Sequence, residues 1–105
     1  MSNDFIDLIV QIEAEAAAEG PEGIARSNEL RARYRLANQL ITLRREAHFS
    51  QRKLASVTGI QQSEISRIER GVLAPNESTW TRLASAFDYE LALVPSSRSK
   101  ERVPG

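Results

Sequence analysis

The chain has 105 residues, the usual size of one domain, and its 41% hydrophobic and 27% charged residues match an ordinary globular protein. With no cysteine, a disulfide framework and a thiolate metal site are excluded, and the single histidine, His48, argues against a His-based metal site. The formal net charge of zero hides a segregation: residues 1–25 carry six acids and no base, residues 26–82 carry eleven bases against five acids, and the remainder carries three of each. A basic middle joined to an acidic arm suits a module that reads DNA attached to something else. The plainer alternative is that these charges are solvated helix faces.

Asp4 to Glu19 places Phe5, Leu8, Ile9 and Ile12 at helical spacing and then runs through Ala-rich sequence to Gly20-Pro21, a helix and its stop. Asp4 stands where a signal peptide needs a basic stretch, and Asp7 and Gln11 break the apolar run. No segment approaches the roughly 20 apolar residues that span a bilayer. The expected address is the cytoplasm, with no membrane partner.

A second helix is expected from about Ser27, with Leu30, Tyr34, Ala37, Leu40, Ile41 and Arg44 at a three-and-four spacing. It is long enough to be both a connector and the first helix of the next module. Ser50 is a good N-cap for a short helix Gln51 to Thr58 whose inner face is Leu54, Ala55 and Val57, and Gly59 ends it at positive φ. After the turn at Gly59-Ile60, Gln62 to Arg70 makes another short helix with Ile65 and Ile68 inward, stopped by Gly71. Pro75 and a cap at Asn76 or Ser78 introduce a helix with Trp80, Leu83, Ala84 and Phe87 on one face. Residues 89–94 alternate imperfectly and have strand character before Pro95. If that strand forms, its unpaired edge calls for a second copy of itself. Residues 96–105 lack periodicity and read as disordered.

Leu43-Arg44, Ser50-Gln51-Arg52-Lys53-Leu54-Ala55, Gly59 and Ile65-Ser66-Arg67-Ile68-Glu69-Arg70-Gly71 stand at the spacing of a known pattern. That stretch resembles the Cro/C1-type, or XRE-family, helix-turn-helix of the phage repressors. Pro75 and Leu83-Ala84-Ser85-Ala86-Phe87 extend the likeness, so it covers about half of the chain. The resemblance implies an all-α fold: a five-helix, phage-repressor-like helix-turn-helix domain with an extra N-terminal helix and, where residues 89–94 pair, a short C-terminal strand. The expected division is a helical extension at 1–36, the helix-turn-helix domain at 37–94 and a tail at 95–105.

A B-DNA major groove admits one α-helix, and only side chains on its outward face reach base edges. With Ile65 and Ile68 inward, Gln61, Gln62, Ser63, Ser66, Arg67 and Arg70 lie near or on that face. The resemblance assigns base contacts to Gln62, Ser63 and Arg67; Gln can pair bidentately with adenine and Arg with guanine. It assigns Gln51 a phosphate contact and a bracing role toward the recognition helix, and Arg44 with Glu69 a structural salt bridge. Arg52 and Lys53 either add phosphate contacts or are simply solvated. Two residues depart from the family pattern, His48 and Asp88, which stand where many relatives carry Gly; both types tolerate positive φ at some strain.

The module is expected to bind double-stranded DNA as a homodimer, through either the 89–94 strand or an apolar helical surface such as that of Phe5, Leu8 and Ile9. The order of acidic helix, Arg-rich connector, motif and Leu-x-Leu-Val-Pro also resembles small antitoxins of the HigA type, which implies an alternative: a protein that neutralises a partner RNase toxin and represses its own operon. His48 has no nucleophile or second His beside it, so no enzyme is expected. No phosphate-cradling loop is present, and no cofactor, metal or small-molecule substrate is anticipated.

Overall fold

The computed structural model describes residues 4–96, with side chains from Ile6 onward except that of Ala16. Among the described residues five helices follow one another: α1 (Asp4–Glu19), α2 (Pro21–Glu46), α3 (Gln51–Thr58), α4 (Gln62–Glu69) and α5 (Glu77–Ser85). The class is all-α as expected. The count of five includes the extra N-terminal helix, and α2 runs unbroken from the extension into the helix-turn-helix unit. The tail lies outside the described residues from 97 onward, as does the side chain of Phe5.

α2 starts six residues earlier than the sequence reading placed it. Gly20 and Pro21 do stop α1, but Gly20 at φ 89° is the entire connector and Pro21 opens the next helix. Proline is suited to the first helical position, where no N–H is needed and φ is already set. α1 therefore folds straight back on α2. Glu13 pairs with Arg31 and Glu19 with Arg26 across this hairpin. Ile9 and Ile12 are half-buried, while Leu8, expected on the same face, is exposed.

The core gathers Leu40 of α2, Leu54 of α3, Ile60 of the turn, Ile65 and Ile68 of α4 and Leu83 of α5, with Phe49, Leu73, Trp80 and Phe87 packed around them. Leu54, Ile65 and Leu83 are wholly inaccessible to solvent. Each such side chain contributes about 1.5–3 kcal/mol relative to an exposed one. Phe49 and Phe87 meet at a tilt with ring centroids 5.5 Å apart, which closes the core beside the loop from α2 to α3. Val57 does not join the inner face of α3; it lies roughly 100° round the helix from the centre of that face and is half exposed. Residues 89–94 form no strand in the single chain, where the segment has no neighbouring strand to pair with.

Candidate nucleic-acid interface

α3 and α4 are each eight residues, too short to persist alone, so caps and packing hold them. Ser50 caps α3: its Oγ accepts from the Lys53 N–H at 2.9 Å. Gly59 ends α3 at φ 76°, and the Thr58 hydroxyl, which donates to the Leu54 carbonyl at 2.7 Å, accepts from the Ile60 N–H at 3.2 Å. These bonds fix the turn and deliver Ile60 to the core. Gln61 begins α4 without a side-chain cap bond, which leaves its amide available.

Ile65 and Ile68 anchor one side of α4. At about 100° per residue, Ser63 and Arg70 then lie opposite that side, with Ser66 and Arg67 to either side of them and Gln62 on the flank next to Ser66. Gln61, Gln62, Ser63, Arg67 and Arg70 are exposed, and Ser66 is half-buried. Arg70 is drawn back along the helix, its Nε donating to the Ser66 carbonyl at 3.4 Å. Arg52 and Lys53 are exposed at the start of α3, with the Lys53 ammonium 5.9 Å from the centre of the Phe49 ring. The structure thus places the expected residues on the first turns of two adjacent helices and along one face of the second.

Beneath this surface lies a buried network. Arg44 donates from Nε to Glu69 Oε2 at 2.6 Å, from Nη2 to Glu69 Oε1 at 3.0 Å and from Nη1 to the Phe49 carbonyl at 2.9 Å. Gln51 Nε2 donates to Glu69 Oε1 at 2.9 Å. The Glu69 side chain is only 5% exposed and that of Arg44 13%. Hydrogen bonding to Glu69, reinforced by its charge and opposed in part by burial, raises the Arg44 pKa above its ordinary value. One carboxylate at the end of α4 is therefore tied to α2, to α3 and, through Arg44, to the loop between them. Gln51 has its second amide hydrogen left for an outside acceptor such as a phosphate.

His48 at φ 60° and Asp88 at φ 61° occupy the left-handed region, as their place in the pattern implied. The sequence reading missed Tyr34. Gly71, at φ 76° just past α4, lies so close under the Tyr34 ring that a Cβ there would stand 2.4 Å from its Cε1. Glycine is needed at Gly71 for backbone and space alike, and the only sequence signal was an aromatic on the inner stripe of α2. Among the described residues no group of His, Cys, Asp and Glu could hold a metal ion, and no helix is long and apolar enough to cross a membrane.

The family described as Helix-turn-helix matches residues 40–94. An uncharacterized HTH-type transcriptional regulator of Sinorhizobium fredii, y4dL, is 38% identical over 60 residues, covering 57% of this chain and 31% of the relative. An uncharacterized HTH-type transcriptional regulator of Haemophilus influenzae is 34% identical over 67 residues, covering 64% of this chain and 68% of the relative. The chain thus spans under a third of the first of these relatives and about two thirds of the second. No solved structure matches.

Proposed function

Because the chain belongs to the Cro/C1-type helix-turn-helix family of DNA-binding transcriptional regulators, we propose that it is a repressor that binds a palindromic operator as a homodimer. Residues 1–36 are the extension and 37–94 the DNA-binding domain. α4 is the recognition helix and enters the major groove, where Gln62, Ser63 and Arg67 meet base edges. Gln61, Ser66 and Arg70 flank them. Gln51, Arg52 and Lys53 lie against the phosphate backbone and set the register. It works in the cytoplasm and carries out no catalysis.

The observation that carries this reading is the exposed polar face of α4, set opposite Ile65 and Ile68 and held to two other helices through Glu69. A reading helix held at one angle discriminates; a loosely hung one would average over base steps. Repression needs no further domain, since a dimer seated on a promoter occludes it. The antitoxin alternative has only the layout of the chain behind it.

Selection of bound duplexes from a random library tests the proposal. The expected product is a two-fold-symmetric site with half-sites about 34 Å apart, one helical turn. Salt-sensitive binding without sequence preference would overturn it. So would a small basic protein that co-purifies in equal amounts and abolishes DNA binding.

A further inference from the structure

α1 is apolar on more than the face it gives to α2. Ile9 and Ile12 turn toward α2, whereas Ile6 and Val10, one turn apart, form a second stripe roughly 100° round the helix and remain 59% and 58% exposed. A short helix that is apolar on two sides is normally covered on both. Ile6, Ile9, Val10 and Glu13 make one wall of an open groove whose other wall is Arg31, Arg35 and Asn38 of α2. Arg31 is already paired with Glu13, but Arg35 is exposed and holds no ion pair among the described residues. The groove asks for a helix with apolar side chains for Ile6 and Val10 and carboxylates for Arg35.

α1 is itself such a helix, with Asp4, Asp7 and Glu15 besides the already paired Glu13 and Glu19, and no basic residue. We propose that the groove takes α1 of a second copy, so that two α1–α2 hairpins pack about a two-fold axis as a four-helix bundle. A two-fold interface is self-complementary: a surface that carries both the acidic apolar helix and the basic wall satisfies itself twice. The proposal rests on the homodimer reading above and assigns its surface. α2 continues without a break into the DNA-binding unit, and Tyr34 abuts Gly71 at the end of α4. The bundle axis therefore sets the separation of the two recognition helices.

The competing surface is the 89–94 segment. Tyr89 and Leu91 line a cleft of their own chain with Leu36, Leu43 and Trp80 and stay 48% and 40% exposed, while Leu93 and Val94 stand wholly outside it. Within residues 89–96 the charged side chain beside that pair is Glu90.

Sedimentation equilibrium of the full chain at two salt concentrations, with Val10→Glu, Arg35→Glu and Leu93→Asp, tests the assignment. All three positions are exposed, and circular dichroism checks that each variant stays folded. The expected result is a wild-type dimer that loosens with salt, at least a tenfold weaker dimer for Val10→Glu and for Arg35→Glu, and no change for Leu93→Asp. A dimer that Leu93→Asp abolishes and the other two leave intact overturns the proposal, as does a wild-type chain that stays monomeric. An unrelated protein, rather than a second copy, released from the purified wild type but not retained by Val10→Glu also overturns it. Stoichiometry on a two-fold-symmetric duplex separates the two readings: two copies per duplex with unaffected variants sinks this surface alone, and one copy per duplex sinks the dimeric repressor as well.

Discussion

Arg44→Ala removes three hydrogen bonds at once and leaves the Glu69 carboxylate, 5% exposed, with Gln51 as its single remaining partner. Breaking a buried pair from one side costs about 3–5 kcal/mol, because the surviving charge has lost both solvent and partner. Arg44 itself is 13% exposed, so the lower end, about 3 kcal/mol, applies. At about 4–8 °C per kcal/mol for a domain near this size, Tm should fall by roughly 12–24 °C. Urea and thermal unfolding of wild type, Arg44→Ala, Glu69→Ala and the double variant measure it. The double variant should lose less than the two singles summed, since no lone charge remains. A loss below about 1 kcal/mol for Arg44→Ala would refute the reasoning, for that is the level of an exposed ion pair.

The raised Arg44 pKa fixes a pH dependence as well. Stability from a cation whose folded pKa is raised is fully present below its unfolded value and lost only as the pH climbs through the folded one. The stability difference between wild type and Arg44→Met should therefore stay flat from about pH 8 to about pH 10, below the arginine range; a step there contradicts the assignment. His48→Gly should raise stability by up to about 1 kcal/mol, since glycine takes φ 60° without strain, and a loss measured by denaturant titration would show that the imidazole has a contact worth more. Gly71→Ala should destabilise more than Gly59→Ala, because a Cβ at Gly71 meets the Tyr34 ring and one at Gly59 meets open space. That excess should shrink in a Tyr34→Ala background, and an unchanged excess would clear Tyr34 of the clash. Lys53→Ala should flatten the slope of log affinity against log salt by about one unit; an undiminished slope removes its phosphate contact.

The helix-turn-helix was legible because each of its signals is local. Ser50 caps a helix whatever surrounds it, Gly59 supplies a backbone conformation costly for other residues, and the three-residue step from Ile65 to Ile68 shows which side of α4 is inward. The features that were not legible depend on neighbours distant in the chain. Gly20-Pro21 reads equally as a stop or as a start, and only the return of α1 onto α2 decides that it is both. Val57 has the right residue type for the core and the wrong azimuth. Residues 89–94 alternate like a strand, yet a strand exists only when something pairs with it. The positive φ at Gly71 could be expected, but the second constraint on it comes from Tyr34, thirty-seven residues away.

The assignment of α4 as the reading helix is tested most directly through Arg67, whose side chain is exposed and makes no hydrogen bond or ion pair among the described residues, so its truncation leaves the fold untouched. On the duplex chosen by library selection, affinities of wild type and Arg67→Ala are measured against all four bases at each position of one half-site. The account predicts that the variant loses about 1–3 kcal/mol of preference at a single base pair and keeps the rest. An unchanged preference at every position would contradict it.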